Sequence, residues 1–122
     1  WEHAARAGKR TAYAGGNTPD GCAWYEKNAE SRVHAVRTRR PNAWGLYDMS
    51  GNVWEWVWDL YMREPWMQRD INPQGPADGF DRMLRGGSYA LHERSARVAN
   101  RGVDNPGQRD PDQGFRLVRS FP

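Results

Sequence analysis

Three tryptophans stand at every second position, Trp54, Trp56 and Trp58, with Val53, Glu55, Val57 and Asp59 between and beside them. Side chains of an extended chain point alternately to opposite faces, so this period of two predicts a β-strand. Large aromatics at that spacing further predict that the three indoles anchor the core. Glu55 then shares the other face with Val53 and Val57, where an unpaired carboxylate would cost on the order of several kcal/mol. It needs a partner, and two kinds are available. A hard cation would find oxygen ligands in Asp48, Ser50, Asn52, Glu55 and nearby carbonyls. One of the sixteen arginines would serve equally well. The spacing Asp48, Ser50, Asn52 and Asp59 follows an EF-hand loop, but Val53 stands where that loop requires glycine, which excludes it.

Punctuation sets limits elsewhere. Residues 1–8 (WEHAARAG) read as the last turns of a helix closed by glycine. Residues 11–42 are polar, with turn clusters at 15–21 and 37–42, and predict loop with short strands. Residues 62–81 predict a surface loop, because Pro65, Pro73, Gly75, Pro76 and Gly79 forbid long regular elements. Strands are predicted at 82–84, with Tyr89 beyond the Gly86-Gly87 break, and at 114–119, where Phe115 and Leu117 suit a core edge. Residues 92–101 fit either a short helix presenting Arg94, Arg97 and Arg101 or a strand over 97–101. A chain of 122 residues without internal repeats has room for one core. The expectation is a single irregular α+β domain spanning residues 1–122.

The formal charge of +3 comes almost wholly from arginine. Arg37, Arg39 and Arg40 are clustered, but acidic residues are interspersed and no aromatic and basic residues interleave, so nucleic acid is not an expected partner. No apolar run approaches the roughly 20 residues that span a bilayer, and a membrane partner is not expected either. The one cysteine, Cys22, can form neither an internal disulfide nor a structural zinc site, so cysteine usage leaves the compartment open.

Four stretches in order carry a resemblance: NAWGLYDMSGNVWEWVWD (42–59), LRGGSY (84–89), RVANR (97–101) and GFRLVR (114–119). Together with WEHAARAG they resemble the formylglycine-generating-enzyme, or sulfatase-modifying-factor, family. The resemblance implies a C-type-lectin-like α+β fold, loop-rich, with short antiparallel strands and little helix. It also implies that the family's usual N-terminal portion is absent, so that an upstream segment or a partner chain completes the domain. Family members carry a calcium whose ligands fall here on Asp48, Glu55 and the carbonyls of Gly51 and Val53. A structural calcium is therefore expected.

Catalytic members of the family oxidise a substrate cysteine with oxygen and a copper held by two cysteines, the first shortly after RGGS. That place is Leu91 here, the second cysteine has no counterpart, and Cys22 lies far away in sequence. His92 with Glu93 cannot replace a pair of soft thiolates, so copper is not expected and no catalytic residue is assigned. The implied function is a non-catalytic binding or accessory module with a ligand-binding loop over residues 89–113. Its site would be lined by Tyr89, Leu91, His92, Arg94, Asp104 and Arg109, and its ligand could be a protein, a peptide or a small molecule. The fold also serves as part of oxidoreductases, formylglycine-generating or sulfoxide-synthase-like, whose metal site would lie elsewhere. It serves too in the variable proteins of diversity-generating retroelements, where residues between RGGS and GFR are diversified.

Overall fold

The computed structural model describes residues 1–63 and 76–119. The predicted loop over 62–81 therefore lies in large part outside the described residues. Helix α1 (Glu2–Arg6) ends at Ala7, whose left-handed backbone turns its N–H back to the His3 carbonyl. Four short strands follow: β1 (Trp54–Leu60), β2 (Arg82–Arg85), β3 (Gly102–Asp104) and β4 (Gln113–Phe115). They form one sheet in the order β3-β2-β1-β4. Strand β2 runs antiparallel to β1 and to β3, but β4 runs parallel to β1. The sheet is thus mixed where antiparallel pairing was expected, because the chain crosses from one edge strand to the other between β3 and β4. Residues 11–42 hold only isolated bridges, Tyr13 with Gly16 and Trp24 with Gly51.

Three expectations need correction. Of the indoles meant for the core, Trp54 is buried, Trp56 is half-buried and Trp58 is 84% exposed. Between the pairs Trp56↔Leu84 and Leu60↔Arg82, β1 has more residues than β2, and this bulge breaks the alternation before Trp58. The Trp58 ring instead lies against the Arg82 guanidinium, 4.7 Å from its centroid. Second, residues 92–101 form neither a stripe of arginines nor a strand. A single 3₁₀ turn (Glu93–Ala96) is capped by the His92 side chain, which accepts from the Arg94 N–H. Burial of Ala96 and Val98 then fixes the chain, and strand pairing starts only at Gly102. Third, the last strand stops at Phe115, and Phe115 and Leu117 are exposed, since β4 is an edge strand.

Trp54, Met83 and Leu84 are buried in the sheet, and two further clusters of buried residues sit among the loops. Ala5, Ala14, Met49 and Val98 form one cluster, with Trp1, Ala4 and Leu46 against it. Tyr13, Cys22, Ala23, Tyr25 and Ala96 form the other. Small side chains let loop backbones approach closely, so buried polar groups have to be satisfied by specific bonds.

Candidate functional site

The loop from Asn42 to Glu55 is held by its own short polar side chains. Asn42 donates to the carbonyls of Ala4 (2.7 Å) and Ala5 (3.1 Å) and accepts from the N–H groups of Trp44 and Leu46 (3.0 Å each). It thereby ties the open end of α1 to the loop. Ser50 Oγ accepts from the Ala14 N–H, and Asn52 pairs with both backbone groups of His34. Gly51 lies so close to Trp24 that a Cβ would sit 2.1 Å from the Trp24 carbonyl oxygen. The Asp48 carboxylate accepts from the Arg37 N–H at 2.8 Å.

Glu55 is 5% exposed, and its partner in this structure is Arg116. Arg116 Nε donates to Oε1 at 3.1 Å and to Oε2 at 2.9 Å, and Nη2 adds a close contact to Oε1. The Trp1 indole N–H supplies a further bond to Oε2 at 2.6 Å. Arg116 Nη2 also donates to the Tyr47 carbonyl at 2.9 Å. Its hydrogen bonding to Glu55 raises the Arg116 pKa above the ordinary value; burial opposes this, and the charges of Glu55 and Asp48 add to it. One guanidinium therefore neutralises a carboxylate and feels a second.

Asp48, Val53 and Glu55, three of the four residues expected to hold calcium, line one cavity of about 480 Å³ together with Asn52 and Arg116. Gly51 packs against Trp24 instead, and its N–H donates to the Gly86 carbonyl. Two carboxylates beside main-chain carbonyls suit a hard cation in donor chemistry. Among the described residues no group of three His, Cys, Asp or Glu exists that could hold a metal by side chains alone. A cation here would share Glu55 with Arg116.

The six residues of the expected ligand-binding loop fall into two places. Tyr89, Leu91, His92 and Arg94 lie around the 3₁₀ turn, where the Tyr89 N–H donates to the Asn52 carbonyl and the Leu91 carbonyl accepts from the Glu26 N–H. Asp104 ends β3, accepting from Gln113 Nε2 and from the Asn105 N–H. Arg109 is exposed in the connection to β4. None of the six lines the cavity beside Glu55 or a second, larger one of about 870 Å³ on the sheet. Cys22 is 1% exposed and directs its thiol at the Thr18 carbonyl. Burial pushes its pKa up, offset in part by Arg40 and Arg39.

Sequence reasoning missed the role of Trp1, and it read Arg85 as an internal pairing group without naming its partners. The buried Arg85 pairs with Glu2, donates to the carbonyls of Val98 and Asn100, and lies 5.3 Å over the Trp1 ring. No periodicity marks either residue. It also missed a stack in which the Trp24 ring has His34 at 3.6 Å and the Arg39 guanidinium at 3.6 Å.

The model of the sulfatase-modifying factor enzyme 1-like domain matches residues 1–121. The formylglycine-generating enzyme of Streptomyces coelicolor is 34% identical over 97% of the chain and 44% of its own length. A protein named chaperone protein LppX, from Paenibacillus barcinonensis, is 31% identical over 98% of the chain and 46% of its own length. Among solved structures, Treponema denticola variable protein 1 superposes with a TM-score of 0.84 at 38% identity, covering 94% of this chain and 43% of that one. The loop-rich α+β fold is thus shared, and the chain spans under half the length of these relatives. By the extent of the match, the chain belongs to the sulfatase-modifying-factor family.

Proposed function

We propose that this chain is a non-catalytic binding or accessory module of its family. The observation that carries this reading is the state of its only sulfur nucleophile. Cys22 is buried with a raised pKa, the opposite of an exposed thiolate fit to hold copper. Leu91 stands at the place where the resemblance puts the first copper cysteine. Residues 89–113 would present the ligand, as loops on a rigid scaffold commonly do. Similarity to a protein named as variable supports that use of the stretch.

The proposal includes a structural calcium held by Asp48, Glu55 and the carbonyls of Gly51 and Val53, in exchange with the Arg116 guanidinium. Its contribution would be to neutralise two carboxylates and fix the loop. Oxygen uptake with added copper and a cysteine-containing peptide tests the non-catalytic reading. Consumption at background is expected, and turnover of the peptide would establish an oxidoreductase instead.

A further inference from the structure

Strand β4 pairs with β1 only as far as Phe115, opposite Trp56, and ends there. The larger cavity opens beyond that point, between residues 56–60 of β1 and residues 116–118. Its walls leave large apolar groups uncovered. Trp58, Leu117 and Val118 are 84%, 87% and 88% exposed, and half-buried Trp56 and Val57 continue the patch. An apolar patch rimmed by charge marks an interaction surface. Among the described residues, the side chains on its walls that can carry charge are Glu2, His3, Asp59, Arg85, Arg101 and Arg116. Four are engaged inside the chain: Arg85 pairs with Glu2, Arg116 pairs with Glu55, and the His3 ring meets Trp44. The other two are not matched. Asp59 is exposed and enters no ion pair among the described residues. Arg101 donates only to the Met62 carbonyl at 2.9 Å and the Met83 sulfur at 3.4 Å, with the Tyr61 ring 5.9 Å away.

We propose that this face joins two copies of the chain, with Trp58, Leu117 and Val118 packed against their counterparts and Asp59 of each copy paired with Arg101 of the other. Charge selects the occupant. The face carries one unmatched anion and one unmatched cation, so a partner of strong net charge, of either sign, would leave one of them desolvated without a counter-charge. A second copy supplies both. A two-fold axis through the midpoint between Asp59 and Arg101 exchanges their places whatever their separation, so the two ion pairs form together. The planar guanidinium fork fits a carboxylate in two bonds, a capacity that the neutral acceptors of Arg101 leave largely unused. The inference does not rest on the proposed function, because none of the six residues of the expected ligand-binding loop lines this cavity and no metal enters the contact.

Sedimentation over a range of concentrations tests it, on the 122-residue chain and on the variants Asp59→Arg and Arg101→Glu. The wild type should pass from monomer to dimer as concentration rises. Each charge reversal sets like charges against each other and should weaken the dimer at least about tenfold. An equimolar mixture of the two variants should dimerise again, since across that mixed contact every carboxylate meets a guanidinium. Trp58→Ser should also weaken the dimer, while its unfolding midpoint stays in place at a dilution where the wild type is monomeric. Three results would overturn the proposal. The first is a wild type that stays monomeric up to its solubility limit, as it would if the face served a foreign ligand. The second is a dimer that Asp59→Arg leaves intact. The third is a mixture no more associated than either variant alone, when both keep the wild-type unfolding midpoint.

Discussion

At position 51 a hydrogen is all that fits. Backbone φ is +73°, and an added methyl would lie 2.1 Å from the Trp24 carbonyl oxygen. Gly51→Ala therefore combines left-handed strain with a backbone clash, and the expected loss is roughly 3 kcal/mol or more, read from urea unfolding. Trp58→Ser in the same assay should stay within about 0.5 kcal/mol, since the ring is exposed. Tyr25 supplies a pH signature. Its hydroxyl donates to Asp20 at 2.7 Å; that bond, and then burial, push the phenol from 10 up to about 12. Between those values the unfolded chain gives up the proton and the folded chain keeps it. Stability is therefore complete below about pH 10 and falls as pH rises toward about 12. Denaturant unfolding across that window should show a slope that Tyr25→Phe flattens.

Among the elements, Glu55 of β1 binds α1 through Trp1 and the end of β4 through Arg116, while Arg85 of β2 grips α1 through Glu2. A double-mutant cycle of Glu55→Gln and Arg116→Gln should give a coupling of about 1–3 kcal/mol, with each single change costing nearly as much as both. If calcium shares the site, thermal unfolding should shift upward with the ion and return with a chelator. Glu55→Gln should abolish that shift. This region shows how far the sequence was legible. The alternation through residues 54–58 located β1 and showed that Glu55 needed a partner, because periodicity reports which way side chains point. It could not choose between a cation and arginine, since Arg116 comes from 61 positions away. Nor could it see that Trp58 stays exposed against the Arg82 guanidinium, because a bulge leaves no local pattern. The ligand-binding stretch was read as one loop, whereas burial of Ala96 and Val98 splits it into two places.

For the molecule as a whole, the parallel pairing of β4 with β1 brings residues 113–115 back beside Trp54, Glu55 and Trp56. Removing residues 113–119 should leave Glu55 buried without its guanidinium. Cooperative unfolding should be lost, with a broad thermal transition and binding of a hydrophobic dye as the readouts. The fold class was legible because several short motifs recur in order, whereas the mixed sheet was not, because strand direction depends on connections that carry no periodicity. The same pairing bears on how the chain is made. Glu55 leaves the ribosome 61 residues ahead of Arg116, which at about 5–20 residues per second is roughly 3–12 s. For those seconds the nascent chain carries an unfinished strand edge beside bare indoles. Its exposure to aggregation is therefore set by the speed of translation over its second half as well as by the stability of the finished domain.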